Sequence, residues 1–185
     1  MGGTRVNLPN KITLFRVCLI PVFLYVYLAA PLPESANMWL ALSIFSVASI
    51  TDAIDGYLAR RYKLITNFGK LMDPLADKLL VCAALVAFAS TGTLPAWAVI
   101  VMISREIYQS GLRQLALEQG KVLAASLGAK LKTITQMVLI IYLLVPISFL
   151  RFDIAVSILL WASVVASVLT AVDYTYKNLY VFEGK

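Results

Sequence analysis

The chain has 185 residues, is 61% hydrophobic and carries a formal net charge of +6, with a mean hydropathy of +0.84. A soluble domain of this length has too little interior to hide that much apolar surface, so the composition excludes that class and reads as a polytopic membrane protein. The cations do not indicate nucleic acid: no binding motif or basic tail accompanies them, and anionic headgroups or a phosphorylated substrate account for them beside a membrane.

Residues 4–16, TRVNLPNKITLFR, mix polar and apolar side chains, and the sequence predicts an interfacial segment with a turn at Pro9-Asn10. Arg5, Lys11 and Arg16 then precede an apolar run reaching Ala29-Ala30. That run is longer than a signal-peptide core and further spans follow, so it predicts an uncleaved first helix. Met1-Gly2-Gly3 is followed by Val at position 6 rather than Ser or Thr, which excludes myristoylation.

Charge-free stretches run Val17–Pro33, Ser35–Thr51, Leu79–Ser104, Thr133–Leu150 and Ile154–Val172. About 20 apolar residues span a bilayer, so a first count gives five helices. The third stretch, however, contains the turn cluster Ser90-Thr91-Gly92-Thr93-Leu94-Pro95. Splitting it there predicts helices of about Asp73–Ser90 and Ala96–Gln119. With six helices every Lys and Arg except Arg151 falls on one side; with five, the cations of 60–78 and 105–132 fall on opposite sides. The positive-inside rule selects six. The expected fold is therefore all-α: a polytopic bundle of six transmembrane helices with an N-terminal interfacial segment, forming a single domain over 1–185 with both termini cytoplasmic. External turns are expected at 31–36, 91–95 and 149–153. Cys18 and Cys82 fall in apolar runs and are expected as buried free thiols.

Asp52 and Asp55 lie i,i+3 near the end of the second helix, and Asp73 and Asp77 lie i,i+4 at the start of the third. Each spacing puts a pair on one helical face, and the short loop between the helices brings all four carboxylates to one depth. Clustered carboxylates repel unless cations neutralise them, and hard oxygen ligands suit Mg²⁺ or Mn²⁺, which bridge readily to phosphates. Gly56 and Gly69 leave room for a bulky ligand such as a nucleotide, and Arg60 and Lys63 balance phosphate charge. Taken singly, Asp73-Pro74 also reads as a helix N-cap with proline at the first helical position, Asp55 with Arg60 as a structural ion pair, and Gly56 as a packing residue. Four aspartates in this arrangement at membrane depth point to a site. There is no histidine, so a general base has to be Asp, Glu, Lys or Tyr.

The run Asp52-x-x-Asp55-Gly56-x-x-Ala59-Arg60, then eight residues, then Gly69-x-x-x-Asp73-x-x-x-Asp77 resembles the signature of the CDP-alcohol phosphatidyltransferases at every fixed position. Asn7-Leu8-Pro9-Asn10-x-x-Thr13-x-x-Arg16, Ser104-Arg105-Glu106…Gly111-Leu112-Arg113, and Lys130-Leu131-Lys132-Thr133 with Gln136-Met137 resemble the bacterial phosphatidylglycerophosphate synthase branch of that family. Ala129 departs from it, since glycine is expected before the lysine.

The resemblance implies transfer of a phosphatidyl group from CDP-diacylglycerol to an alcohol, with release of CMP. It implies two divalent ions, Mg²⁺ or Mn²⁺, on Asp52, Asp55, Asp73 and Asp77, the last also taking the proton of the attacking hydroxyl. It implies CDP-lipid contacts from Asn10, Thr13, Gly56, Ala59, Arg60 and Gly69. Arg105, Gln109 and Arg113 share one helical face, and Lys130 and Lys132 open the fifth helix. Read as an acceptor-phosphate pocket formed by Arg105, Arg113, Lys130 and Lys132, they select sn-glycerol 3-phosphate. The bland alternative pairs Arg105 with Glu106 and leaves the lysines to the positive-inside rule. Asp173 with Lys177 reads as a structural pair. Other expectations from the resemblance are a homodimer, membrane lipid as surroundings, no nucleic acid, and an active site on the cytoplasmic face of a bacterial cytoplasmic membrane. The competing readings are another acceptor (inositol phosphate, serine or phosphatidylglycerol), an intramembrane prenyltransferase, or an ion carrier.

Overall fold

The computed structural model describes residues 8–61, 67–120, 127–146 and 153–181, with side chains described for 13–51, 75, 76, 78–120, 128–146, 153–179 and 181. Among these the chain forms six α-helices and no strand: α1 Leu8–Ala29, α2 Glu34–Arg61, α3 Asn67–Ser90, α4 Ala96–Glu118, α5 Leu127–Leu144 and α6 Asp153–Lys177, followed by a 3-10 turn at Leu179–Val181. The chain divides into two compact units, Met1–Ala87 with Leu144–Pro146, and Phe88–Leu143 with Ile147–Lys185.

In the first unit α1 packs on α2. Thr13, Arg16, Phe23 and Val26 form the buried face of α1, and Ala41, Phe45 and Ala48 that of α2. The rings of Phe23 and Phe45 meet at 6.0 Å between centroids. The alanines, lacking bulk beyond Cβ, let the two backbones approach. The Asn37 amide donates to the Ala30 carbonyl at 3.0 Å, serving an orphan acceptor at the end of α1.

In the second unit α4 and α6 pack together and run parallel. Trp97 meets Trp161 at 5.5 Å, Arg105 bonds Thr170, Arg113 bonds Tyr174 and Gln119 bonds the carbonyl of Val181, so the partners advance together along both helices. Leu112, Ala116, Tyr174 and Val181 close the lower end of this packing. Gly120, at φ +71°, ends α4 in the left-handed region, which only glycine enters freely.

The polarity of α6 is reversed relative to a soluble helix. Ser163, Ser167 and Thr170 are buried, while Ile154, Ile158, Trp161, Leu169 and Val172 are exposed. The Ser167 and Thr170 hydroxyls donate to carbonyls one turn back, 2.7 Å in each case, so two of the inward polar groups are satisfied within the helix. Among the described residues α6 is the one helix long and apolar enough to cross a membrane, with shorter apolar helical stretches at Thr13–Ala29 and Lys78–Ser90.

Several expectations hold and several need correction. The break at 91–95 is real: α3 ends at Ser90 and α4 begins at Ala96. The break expected at 31–36 is shorter, since α2 starts at Glu34, and most of the one at 149–153 lies outside the described residues. There is no turn at Pro9-Asn10. Both lie in the first turn of α1, where proline costs no hydrogen bond because its missing N–H would have had no partner. Residues 8–16 are accordingly helical and continuous with the rest of α1, and residues 1–7 lie outside the described ones. Helix α3 starts at Asn67, six residues before Asp73, so Asp73 lies inside the helix and the N-cap reading of Asp73-Pro74 fails. Both cysteines are free, but Cys18 is exposed and Cys82 half-buried; an apolar run in a helix that faces outward does not bury every member. Ala129 lies within α5, its carbonyl accepting from the Thr133 hydroxyl at 3.0 Å, so regular helix accommodates the departure from glycine.

Candidate functional site

Asp52 and Asp55 fall within α2, three residues apart, and Asp73 and Asp77 within α3, four apart. These are spacings at which two positions share a helical face. Gly56, Ala59 and Arg60 follow in α2, Gly69 precedes in α3, and Asn10 lies in α1. The side chains of all of these lie outside the described residues. As a donor set, four carboxylates on two helices fit hard divalent cations.

Ahead of Asp52, two polar side chains of α1 pack into the α1–α2 contact. Thr13 and Arg16 are buried on α1, each 1% exposed. The Arg16 Nε donates to the Ala48 carbonyl at 3.1 Å, and the Thr51 hydroxyl donates to the same oxygen at 2.8 Å.

A second polar centre lies in the other unit. Arg105 enters the helix about 14 Å from the start of α4, at 1.5 Å per residue, and is buried. It is not bare. Its Nη1 donates to Glu106 Oε1 at 2.9 Å and its Nε to the Thr170 hydroxyl of α6 at 3.2 Å. Lys132 of α5, also buried, pairs with the same Glu106 oxygen. Two cations thus share one carboxylate, leaving the cluster with a net positive charge. One turn below, Gln109 is buried on the face of Arg105, and a further turn on, Arg113 donates from Nε to the Tyr174 hydroxyl at 3.2 Å, its guanidinium 5.9 Å from the ring centroid.

The face predicted for Arg105, Gln109 and Arg113 is therefore the inward face of α4, and the pairing of Arg105 with Glu106 is present while the guanidinium keeps donor capacity. Among the described residues its Nη2 is buried without a partner, as are the amide nitrogens Nε2 of Gln109 and Gln136. A guanidinium presents five donors in a fixed fork, and an unfilled buried donor is costly unless a ligand takes it. Of the two lysines expected to bind phosphate, Lys132 joins the cluster and Lys130 stays exposed. Sequence reasoning passed over Thr170 and Tyr174, which share a face of α6 by their i,i+4 spacing. Nothing in the sequence announces their register against α4. It treated Glu106 as a bland partner, although a carboxylate beside a buried arginine was the available signal.

The family model for CDP-alcohol phosphatidyltransferase matches residues 6–169 of the chain. The chain is 42% identical over 188 residues to the CDP-diacylglycerol–glycerol-3-phosphate 3-phosphatidyltransferase of Bacillus subtilis (strain 168), covering 93% of this chain and 95% of that one. It is 38% identical over 179 residues to a probable phosphatidylglycerophosphate synthase of Mycobacterium tuberculosis, covering 96% and 85%. To the CDP-diacylglycerol–glycerol-3-phosphate 3-phosphatidyltransferase of Haemophilus influenzae it is 43% identical over 140 residues, 72% of either chain.

Proposed function

The chain belongs to the CDP-alcohol phosphatidyltransferase family, and from that premise we infer its reaction. It is an enzyme of phospholipid synthesis that transfers the phosphatidyl group of CDP-diacylglycerol to sn-glycerol 3-phosphate, giving phosphatidylglycerophosphate and CMP. The observation that carries this reading is the likeness to enzymes of that name over nearly the whole chain. The buried, net-cationic cluster of Arg105, Glu106 and Lys132 supports an anionic acceptor.

In this reading Asp52, Asp55, Asp73 and Asp77 hold two divalent ions, Mg²⁺ or Mn²⁺, which when bound offset the pyrophosphate charge and polarise its phosphoryl oxygen. Asn10, Thr13, Gly56, Ala59, Arg60 and Gly69 seat the CDP-lipid, the small residues leaving room for the cytidine and Arg60 contacting phosphate. Asp77 takes the proton as the acceptor hydroxyl attacks the phosphorus that carries the diacylglycerol; the new P–O bond forms and the bond to CMP breaks. Arg105, Arg113, Lys130 and Lys132 hold the acceptor's phosphate, which converts an encounter of two anions into a positioned reaction.

The six helices span the cytoplasmic membrane as one domain over 1–185, with the termini and the site on the cytoplasmic side, and the enzyme works as a homodimer. The parallel course of α4 and α6, the outward apolar face of α6 and the charge asymmetry support the membrane topology; the family match over 6–169 supports the single domain.

The test is CMP release by the purified protein in CDP-diacylglycerol micelles with Mg²⁺ or Mn²⁺, using glycerol 3-phosphate, inositol phosphate, serine and phosphatidylglycerol as acceptors. Release with glycerol 3-phosphate alone is expected. Release with another acceptor overturns the acceptor assignment, and release of pyrophosphate in place of CMP overturns the chemistry.

A further inference from the structure

Gln109 is 6% exposed, and its Nε2 has no partner among the described residues. Arg105 stands one turn earlier on the same buried face of α4 with its Nη2 also unfilled. The neighbours on α6 are committed elsewhere, Thr170 to Arg105 and Tyr174 to Arg113. A buried amide without a partner destabilises the fold and is kept where a ligand satisfies it.

The chemistry of the two donors differs. A guanidinium matches a phosphate, which only accepts. The unfilled atom of Gln109 is its amide nitrogen, a neutral donor, which suits a neutral acceptor oxygen such as that of a hydroxyl. Four residues separate them, about 6 Å along the axis at 1.5 Å per residue, so the two donors follow each other along one buried face.

We propose that Gln109 is a specificity-determining residue that hydrogen-bonds the acceptor hydroxyl that does not react, while Arg105 Nη2 takes the acceptor phosphate. The acceptor class is then a polyol phosphate with a hydroxyl between the phosphate and the attacking group, not a simple hydroxyalkyl phosphate. This rests on the reaction inferred above.

The test compares glycerol 3-phosphate with 3-hydroxypropyl phosphate, which keeps the phosphate and the attacking hydroxyl but lacks the middle one. CMP release by the full-length protein in CDP-diacylglycerol micelles gives kcat/KM for each. A site built to bond a hydroxyl rejects the analogue strongly, so the wild type should favour glycerol 3-phosphate by about 100-fold or more. Gln109→Met, similar in length without the amide, should cut that ratio at least tenfold, with the loss confined to glycerol 3-phosphate and the KM for CDP-diacylglycerol unchanged. The proposal is overturned if the wild type uses both acceptors equally, a result that needs no variant to fold. It is also overturned if Gln109→Met lowers both acceptors alike, or if Gln136→Met shifts the ratio and Gln109→Met does not. A wild type that releases no CMP with glycerol 3-phosphate removes the underlying reaction and this inference with it; a turning-over wild type with an indifferent ratio removes this inference alone.

Discussion

Arg16 of α1 donates from Nε to the main-chain carbonyl of Ala48 on α2, 3.1 Å away and four residues before Asp52. A buried cation thereby fixes α1 on the turn of α2 that leads into the first aspartate. A hydrogen bond from a charged group is worth about 1.5–3 kcal/mol, and lysine cannot reproduce the geometry of the guanidinium fork. Arg16→Lys should therefore lower the thermal midpoint in detergent and reduce CMP release at least tenfold. Full activity in a correctly folded Arg16→Lys protein would show that this pin does not serve the site.

Glu106 holds Arg105 and Lys132 on one oxygen, with its own side chain 14% exposed and those of Arg105 and Lys132 at 6% and 3%. Removing one member of a buried charge cluster costs about 3–5 kcal/mol, because the charges left behind are uncompensated. Glu106→Gln should lose stability on that scale and raise the KM for glycerol 3-phosphate. Adding Lys132→Met removes one of the two stranded charges, so the double variant should melt above Glu106→Gln alone. Thermal unfolding of the two variants in the same detergent decides it; a double variant that melts lower would mean the carboxylate does not act as a shared counter-charge.

Asp173 and Lys177 provide the contrast. They pair at 2.7 Å, but their side chains are 44% and 63% exposed, and exposed pairs contribute about 0–1 kcal/mol. Lys177→Ala should leave the melting temperature and CMP release within error of the wild type. A large drop in either would assign that pair a role beyond the end of α6.

The readable parts of this molecule were those set by short-range chemistry. The turn cluster of Ser90 to Pro95 and the sign of the charges gave six helices, and i,i+4 spacing gave the inward face of α4 and the Asp173–Lys177 pair. Helix starts were harder. Pro9 breaks a helix interior but suits a first turn, and Asp73 followed by Pro74 imitates a cap and first helical position, so local signals alone placed both boundaries wrongly. Thr170 and Tyr174 were out of reach because their value depends on α6 running parallel to α4 in a particular register. No local signal encodes that. Glu106 was visible yet undervalued, since its second cation, Lys132, comes from another helix.

Chelation tests the aspartates together. With Asp52, Asp55, Asp73 and Asp77 as the proposed ligands and no histidine in the chain, EDTA should abolish CMP release, and Mg²⁺ or Mn²⁺ should restore it. On the proposed roles Asp77→Asn removes both a ligand and the base, so it should reduce turnover at least 1000-fold; general-base catalysis alone accounts for about 10²–10⁴. Asp77→Asn retaining full activity would remove the base assignment, and activity that survives EDTA would remove the divalent ions.

The length of α4 makes sidedness measurable. Its ends at Ala96 and Glu118 lie about 33 Å apart at 1.5 Å per residue, close to the roughly 30 Å hydrocarbon core of a bilayer. Thr93, in the turn before it, and Glu118, at its end, are both exposed, so a thiol at either is open to reagent. In a background with Cys18→Ala and Cys82→Ala, Thr93→Cys should react with a membrane-impermeant maleimide added to intact cells. Glu118→Cys should react only after the membrane is opened. The opposite pattern would place the carboxylates on the outer face, away from the cytoplasmic nucleotide-lipid and glycerol phosphate, and equal labelling of both would mean that α4 does not cross the membrane.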